Sequence, residues 1–347
     1  MKKYIFSIIL VILVYFVLIT LYDAGSFKTI ENHSDLKNIS IYKAIPGPED
    51  FEMDVENGWM FISATDRRNL AKGKNTNDGI YLLDLKKDTV PYMLTTTYKG
   101  DFYPHGISFL KKENTDYLFV INHNKDGSSV ELFRFKNDTL FHLVTYKDEL
   151  MCCPNDLVAV DTDKFYVSND HANKKGIMRT LEDYLRLPKS YLLYYNGKVF
   201  SKAYDGLNYA NGVIVSPDGK TLYLTETISG EISVYNRDII TGDLLLRFNK
   251  DLKTGLDNIT MDSNGDLWIA AHPKLFDFVG HIKSAENYSP SQVLKLSTNG
   301  DDDFLVTEVY LNDGEQLSGS SVALHYKGKV YVGVVFDSKL LIGDYHP

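Results

Sequence analysis

The stretch DNITMDSNGDLWIAAH, residues 257–272, contains the elements that decide the fold. It begins with an acid and an amide, Asp257 and Asn258, and passes through a turn signal, DSNG at 262–265. An aromatic and aliphatic run typical of a β-strand follows from Leu267. A polar pair thus precedes a predicted strand by a short interval, and this arrangement returns along the chain.

Four further stretches place an acid, an amide or a histidine at nearly the same distance ahead of a similar strand pattern: Glu49-Asp50 before Trp59, His105 before Tyr117, Asn155-Asp156 before Phe165, and Asn211 before Leu222. Each stretch alone is also compatible with an ordinary turn or cap. The common offset instead favours repeats that each deliver a polar residue to one shared place. Side-chain oxygens that converge in this way predict a site for a hard metal ion.

Strand-like runs come in six pairs, whose first members start near Trp59, Tyr117, Phe165, Leu222, Leu267 and Val330: WMFISA with GIYLLDL, YLFVINH with VELFRF, KFYVSND with YLLYYN, TLYLTET with EISVYN, DLWIAAH with QVLKLS, and KVYVGVV with KLLIGDY. The spacing of these starts is typical of propeller blades. We interpret each pair as the second and third strands of a four-stranded blade, with the polar residues on the first strand, facing a central channel. The predicted fold is an all-β, six-bladed β-propeller, with a helix expected only around residues 179–187.

The N-terminal end of the chain forms a separate segment. Lys2 and Lys3 precede an uncharged run from Tyr4 to Tyr22, which has about the length needed to cross a bilayer. It exceeds the apolar region of a typical signal peptide, and no convincing cleavage site follows. We interpret 1–22 as a membrane-spanning signal anchor, 23–44 as a tether and 45–347 as the propeller, exported to the extracellular or periplasmic side. A cleaved signal is the alternative.

Composition excludes some classes of function. The net charge of −9 and the lack of a basic stripe argue against a nucleic-acid partner. The only cysteines, Cys152 and Cys153, are adjacent, which favours free thiols because a bridge between neighbours is strained. Five Asn-x-Ser/Thr triplets would make a glycoprotein if the host glycosylates; they begin at Asn32, Asn38, Asn137, Asn258 and Asn287.

The oxygen-rich ligand set, without cysteine, favours Ca²⁺, which accepts amide oxygens from distant segments. The two doublets, Glu49-Asp50 and Asn155-Asp156, point neighbouring side chains to opposite faces of a strand and so predict two ions. His105 and His123 belong to one repeat, and as a pair near a metal they suggest proton transfer. His171 and His272 end other second strands and are expected in the pocket wall or directly behind it.

At these residues the chain resembles the paraoxonase family of calcium-dependent lactonases and arylesterases. The matching stretches follow the family's order and cover nearly everything past the tether: GPEDFE (47–52), YPHGIS (103–108), PNDLVAV (154–160), FYVSNDH (165–171), ANGV (210–213), DNI (257–259), DLW (266–268) with His272, and LSGSSVA (317–323). Several motifs in register are far more specific than one.

The resemblance implies a six-bladed propeller with two calcium ions in its channel. A catalytic ion would be bound by Glu49, Asn155, Asn211, Asp257 and Asn258. A structural ion would be bound by Asp50, Asp156 and the main-chain carbonyl of Ile107. His105 and His123 match the family's proposed histidine dyad, and the retained N-terminal apolar segment matches the predicted anchor.

Two features depart from the family. Its vertebrate members join the first and last strands by a disulfide, whereas the neighbourhoods of Ser40 and Ile342 have no cysteine, so closure must rest on strand pairing. The loop at 65–78, expected to cover the site, is unlike the family's loop and carries Arg67, Arg68, Lys72 and Lys74. Substrate preference therefore does not transfer.

The function predicted from the sequence is hydrolysis of a lactone or aryl ester. The metal would polarise the carbonyl, and water activated by His105 and oriented by His123 would attack it. Glu49 or Asp257 is the alternative base or nucleophile. Two other classes remain open, a gluconolactonase-type enzyme with one ion and a non-catalytic propeller of the strictosidine-synthase-like kind. The filled ligand positions favour an enzyme.

Overall fold

The computed structural model describes residues 2–87, 90–300 and 302–346. It contains six antiparallel sheets that follow one another along the chain, which confirms the all-β, six-bladed β-propeller. The elements before the first blade are α1 (Lys2–Asp23), β1 (His33–Ser34) and β2 (Lys37–Tyr42).

The blades are then built in chain order. Blade one has β3 (Pro48–Asp54), β4 (Trp59–Ala64), α2 (Arg67–Ala71), β5 (Gly79–Asp84) and β6 (Tyr92–Met93); blade two has β7 (Pro104–Lys112), β8 (Thr115–Asn124), β9 (Gly127–Lys136) and β10 (Thr139–Tyr146). Blade three has β11 (Pro154–Asp161), β12 (Lys164–Asn169), α3 (Ile177–Tyr184), β13 (Ser190–Tyr195) and β14 (Phe200–Leu207).

Blade four has β15 (Ala210–Val215), β16 (Thr221–Glu226), β17 (Glu231–Arg237) and β18 (Leu244–Asp251); blade five has β19 (Gly255–Met261), β20 (Leu267–His272), α4 (Leu275–Lys283), β21 (Ser291–Thr298) and β22 (Phe304–Asn312). Blade six has β23 (Ser320–Tyr326), β24 (Lys329–Val334) and β25 (Leu340–Asp344). The six predicted strand pairs are the second and third strands of these blades, as expected.

Apolar packing between blades supplies the core. The described residues form six buried apolar clusters, and each cluster combines side chains from two neighbouring blades. Trp268 is fully buried between blades five and six, with its ring 5.2 Å from that of Tyr345. Burial of such a side chain contributes about 1.5–3 kcal/mol. The second strands read as continuous hydrophobic runs because both of their faces are covered in this way.

The ring closes between the two ends of the chain. β2 pairs with β25 as the fourth strand of blade six, and Ser40 lies opposite Ile342. β1 also extends blade five by pairing with β22. Residues 23–44 therefore do more than the predicted tether, because two of their segments are strands of the propeller. Strand pairing closes the ring here, in the absence of a disulfide among the described residues.

Before these strands, α1 is 22 residues long and carries no charged residue between Tyr4 and Tyr22. The segment Lys3–Asp23 is long enough and apolar enough to cross a membrane. Its most apolar stretch has a mean hydropathy of 2.9, and the rest of the protein buries none of that stretch.

The helices differ from the expectation of a single one. α3 lies at the predicted place, but α2 and α4 are additional. Each of the three follows the second strand of its blade. Since the end of a second strand pairs with the start of the first, as in Pro48 opposite Ala64, all three helices lie at the face where the polar inner-strand residues are found.

Candidate active site

Every inner strand carries an irregularity at its polar residues. The register between first and second strands shifts at Pro48/Asp50, Pro104/Ile107, Pro154/Leu157, Ala210/Val213, Leu256/Ile259 and Ser320/Val322. Such bulges redirect side chains. Simple alternation, on which the prediction of two ions was based, would send the two members of a doublet to opposite faces. The shift instead lets both members reach other inner strands around the axis.

Two glycines allow the inner strands to approach closely. A Cβ on Gly106 would lie 2.5 Å from the Cα of Asp156, and one on Gly212 would lie 2.7 Å from the backbone nitrogen of Ile259. Any larger residue would push neighbouring blades apart. Gly106 follows His105 and Gly212 follows Asn211, so the close contacts lie beside the polar residues themselves.

Five of the predicted metal ligands form what we term the mouth-side set: Glu49, Asn155, Asn211, Asp257 and Asn258. All five are buried. Four of their oxygens have no hydrogen-bond donor, namely Glu49 Oε2 and the Oδ1 atoms of the three asparagines. Leaving a buried polar oxygen unpaired costs about 1–3 kcal/mol, so four together indicate a missing electropositive partner.

Hydrogen bonds within the mouth-side set fix how the amides are turned. The Asn258 side-chain amide donates to Glu49 Oε1 at 2.9 Å, and that of Asn211 donates to Thr227 Oγ1 at 3.0 Å. With their N–H groups engaged, both residues present the carbonyl oxygen elsewhere. The described acids, histidines and cysteines do not by themselves form a group of three that could hold a metal. A cation site here therefore requires the amide oxygens.

Asp257 is oriented by His272. The Nε2 atom of His272 lies 2.9 Å from Asp257 Oδ2, and its ring stacks on Phe278 of α4 at 3.7 Å. Burial raises the pKa of Asp257, while the contact with His272 opposes that shift. His272 is thus part of the pocket wall, as expected. Since Phe278 covers the ring, α4 limits its movement.

Asp50 and Asp156 form a second level, the inner pair, outside the lining of the cavity. Asp50 accepts from the backbone N–H of Ile107 at 2.7 Å, and Asp156 accepts from that of Val213 at 2.8 Å. Each carboxylate thereby bridges to the next blade. Burial raises the pKa of both well above its usual value, and for Asp50 the charge of Asp156 adds to the effect. Two buried like charges need a cation between them to remain ionised.

His105 and His123 meet at the mouth of the channel. Their ring centroids are 4.9 Å apart, with the rings at 64° to each other. His105 Nδ1 lies 3.5 Å from Glu49 Oε2, and His123 Nδ1 lies 3.0 Å from Ser128 Oγ. The structure thus brings the predicted dyad together beside the mouth-side set.

Arg67 also belongs to the site, although it was not among the predicted site residues. Its Nη2 lies 2.6 Å from His105 Nδ1, so the guanidinium donates to that nitrogen. Burial, and then the charge of Arg67, lower the pKa of His105 to about 3. The ring is therefore neutral over the ordinary range of pH. The basic residues of the loop at 65–78 were the available signal, but their pattern does not tell which one turns inward.

A cavity of about 360 Å³ joins these groups. Its wall includes Arg67 of α2, Arg179 of α3, and Phe278 and Ile282 of α4. His171 lies behind this wall, where its two nitrogens contact Asp170 and Asp183 at 2.6 and 2.7 Å. The three helices thus form the rim of an active-site-like pocket.

Two remaining sequence expectations concern modification. Asn258 begins a glycosylation triplet, but it is 1% exposed and points into the channel, so it is not accessible to glycosylation. Cys152 and Cys153 are free thiols at the wall of the cavity, with sulfur atoms 2.8 Å apart.

Comparison with known proteins agrees with the geometry. The arylesterase family model matches residues 35–343. The chain is 37% identical to human serum paraoxonase/arylesterase 1 over 321 residues, which is 88% of each chain.

Among solved structures, a luciferin-regenerating enzyme is similar with a TM-score of 0.55 at 12% identity, covering 89% of this chain and 98% of its own. The calcium-binding protein regucalcin of Agrobacterium tumefaciens gives 0.53 at 13% identity, with coverage of 88% and 94%. These two support the fold alone. The family match and the paraoxonase relatives show that this chain belongs to the arylesterase family and is a carboxylic ester hydrolase.

Proposed function

We propose that the protein is a calcium-dependent hydrolase of lactones and aryl esters, with two ions in the channel. The observation that carries the proposal is the convergence of four unpaired, buried oxygens from blades one, three, four and five. A hard cation with flexible, oxygen-rich coordination satisfies such a set. Regucalcin, which has the same fold, is described as calcium-binding.

The mouth-side ion would be held by Glu49, Asn155, Asn211, Asp257 and Asn258. When bound, it would supply Lewis-acid polarisation of the ester or lactone carbonyl. The chain's own residues would do the rest: His272 holds Asp257 in place, and the Asn258 amide holds Glu49. The pocket wall would exclude bulk water from the reacting carbonyl.

The second ion would lie at the inner pair, with Asp50, Asp156 and the main-chain carbonyl of Ile107 as ligands. The mutual repulsion of the two carboxylates supports this assignment, because a cation would relieve it. This level lies apart from the cavity, so its role would be to stabilise the blades. A single-ion enzyme of the gluconolactonase type would not need it.

Two arrangements of proton transfer fit the histidines. In one, His105 deprotonates the attacking water and His123 orients it. In the other, Asp257 or Glu49 accepts the proton and the histidines position the substrate. A neutral imidazole has one lone pair, and the Arg67 contact occupies it at Nδ1. This supports the second arrangement unless Arg67 withdraws.

Variants distinguish these arrangements. If His105 is the base, His105→Gln should lower kcat by about 100-fold or more with calcium binding unchanged. If a carboxylate is the base, His105→Gln should retain near-normal turnover, and Asp257→Asn should lose it. Because Asp257 also belongs to the mouth-side set, calcium content is measured in the same samples by atomic spectroscopy.

Calcium removal tests the proposal as a whole. Activity on phenyl acetate and on γ- and δ-lactones of varied chain length is measured with excess calcium, with chelator, and after calcium is restored. We expect activity and melting temperature to fall together in chelator and to recover together. Full activity in excess chelator would refute the metal assignment, while leaving the ester hydrolase identity intact. Bound calcium near two per chain would separate this assignment from the gluconolactonase type.

For location, we propose that α1 anchors the protein in a membrane with the propeller on the exported side. The exposed, apolar surface of α1 supports this. Alkaline carbonate extraction of membranes tests it: the full chain should remain with the membrane, and a chain starting at residue 23 should be released. Recovery of a shortened, soluble mature chain would instead indicate a cleaved signal.

A further inference from the structure

Arg67 and Arg68 are neighbours on α2, yet their surroundings differ. Arg68 is paired with a carboxylate: it donates to Asp337 at 3.0 Å and to the backbone carbonyl of His281 at 2.6 Å, and its guanidinium lies 4.8 Å from the Phe336 ring centroid. These contacts tie α2 to blades five and six. Arg67 instead turns its guanidinium into the cavity, where its side chain is 18% exposed.

Arg67 is held in place mainly by neutral groups. Its Nη1 donates to the carbonyl of Val335 at 3.0 Å, and its Nη2 donates to His105 Nδ1. The only carboxylate within 4 Å among the described residues is Glu49, whose Oε2 is 3.7 Å away. Asp257 and, more weakly, Asp78 also act on Arg67 electrostatically from beyond 4 Å, but Asp257 contacts His272, and Asp78 accepts from the backbone N–H of Asp66 and from Thr76. Among the described residues, the only carboxylate in direct reach of the positive charge is therefore Glu49.

When the charged side chains in the cavity wall are paired with one another, two positively charged side chains have no anionic partner. The charged side chains in its wall are Glu49, Asp170 and Asp257 against Arg67, Lys174 and Arg179. Asp170 is hydrogen-bonded to His171 and forms an ion pair with Arg179. Glu49 and Asp257 belong to the mouth-side set, whose charge a bound cation would neutralise. Arg67 and Lys174 then have no anion in the wall, and the lack of a partner is costly for Arg67, which is partly buried.

We propose that Arg67, with Lys174 at the rim, forms a binding subsite for an anionic group of the substrate, such as a carboxylate a few bonds from the scissile carbonyl. The inference rests on the proposed function, and it names the substrate class: esters or lactones that carry a negative charge. A guanidinium suits this role because its fork of N–H donors matches a carboxylate. Lys174 is exposed and makes no ion pair among the described residues, so it is free to attract the anion.

Two substrates of equal skeleton test the subsite: 4-nitrophenyl hydrogen glutarate, which is anionic, and its methyl ester, which is neutral. Both release 4-nitrophenol when water cleaves the aryl ester, so one assay serves for both. The quantity compared is the ratio of kcat/KM for the anionic substrate to that for the neutral one, measured with the full chain in excess calcium. Any general loss of activity cancels in this ratio.

Arg67→Gln should lower the ratio about 10- to 100-fold, which corresponds to one charge-assisted contact. Lys174→Gln should lower it only a few-fold, because an exposed charge is screened. Lys175→Gln is the matched control: it removes an exposed charge next to Lys174 but outside the cavity wall, and the ratio should not change. If Arg67→Gln does not fold, Arg67→Lys, which keeps the charge and loses the fork, replaces it.

An unchanged ratio in Arg67→Gln overturns the proposal. An equal loss for both substrates also overturns it, since Arg67 would then act through His105 or Glu49. Direct binding gives a readout that does not need turnover: calorimetry should show glutarate binding to the calcium-loaded protein more tightly than glutaramide, and Arg67→Gln should remove the difference. If neither ester is hydrolysed, the proposed function fails, and this binding difference still decides the subsite.

Discussion

In blades one and three, a residue of the mouth-side set and a residue of the inner pair lie one position apart on the same bulge, yet the two sets have opposite needs. In the mouth-side set, four oxygens have no donor within the protein. In the inner pair, each carboxylate already accepts from the next blade's backbone, and the difficulty is repulsion between two buried charges. The first arrangement is prepared for a ligand, whereas the second joins blades.

One repeated strand can therefore serve chemistry and stability together. In blades one and three, the bulge provides two adjacent positions that reach the axis. The position nearer the mouth opens into the cavity, and the deeper one is enclosed by backbone. Variants at the two levels should therefore have different effects, in activity for one and in stability for the other.

The largest effect is expected at the mouth-side set. Asn155→Ala removes an oxygen that has no donor, so it should cost little stability in chelator. It should lower kcat/KM for phenyl acetate about 100- to 1,000-fold, as loss of an electrostatic group in an active site does. Melting curves and kinetics on the same preparations check both statements.

The matched control is Asn312→Ala. Asn312 is also buried, but its oxygen accepts from the backbone N–H groups of Gly314 and Gln316, far from the cavity. This variant should lose stability with or without calcium and keep its kcat/KM. If the two asparagine variants behave alike, the unpaired oxygens have no special role.

The next largest effect is expected at the inner pair, where the effect of one substitution on folding stability should have opposite signs in chelator and in calcium. Because the folded-state pKa of Asp156 is raised, its contribution to stability without calcium is present at low pH and is lost as the pH rises through that pKa. Asp156→Asn removes this loss. In chelator the variant should be more stable than the parent at neutral pH, with the gain shrinking towards pH 4. In excess calcium it should be less stable.

Asp262→Asn is the control for this opposite effect on stability in chelator and in calcium. Asp262 accepts from Trp268 Nε1 and lies 2.9 Å from His325 Nδ1, in the turn between β19 and β20. Those contacts do not involve the axis, so this variant should be destabilised to the same degree in calcium and in chelator. Chemical denaturation at several pH values gives both comparisons. Loss of stability by Asp156→Asn under all conditions would contradict the assignment of repulsion.

The smallest effect is expected at His171, whose charge is balanced by carboxylates of the protein and not by a bound ion. Burial alone would lower the pKa of His171, but hydrogen bonds to Asp170 and Asp183 raise it to about 9. The stability from this clamp is present below the unfolded value near 6.5 and is lost as the pH rises through about 9. Asp183 is 38% exposed, so after allowance for solvent screening we expect about 1–2 kcal/mol.

Since Asp183 belongs to α3, the loss should be local. Hydrogen-exchange protection of α3 amides should fall between pH 8 and pH 10 in the parent, and His171→Gln should show low protection throughout. His33→Gln, at an exposed pair with Asp35, serves as control and should leave α3 protection unchanged. Calcium should not affect the result, in contrast to the inner pair.

Local patterns in the sequence predict much of this molecule. Each of the six strand pairs is encoded together with its turn in one short continuous stretch, and the polar doublets are adjacent to these stretches, so the blades and the inner strands follow directly. The family resemblance adds the assignment of the doublets to two levels. His105 and His123 are predicted together because they belong to one blade.

What the sequence does not predict depends on contacts between distant segments. The run KNISIY of β2 is short and half-exposed, and its role is decided by β25, at the opposite end of the chain. α2 is five residues long and has no buried side chain, so periodicity does not reveal it. The inward turn of Arg67 depends on the carbonyl of Val335 in blade six. None of these features can be recognised from the residues adjacent to it in the sequence.

The strand that closes the ring, β2, also determines which part of the fold can form last. β2 ends at Tyr42 and its partner begins at Leu340, so the strand leaves the ribosome early and finds its partner last. At about 5–20 residues per second, roughly 15–60 s pass between the two events. Until Leu340 and the residues after it are synthesised, β2 remains unpaired and the sheet of blade six cannot be completed. A truncated or stalled chain therefore yields an open arc, whose unpaired edge strands are prone to associate with one another.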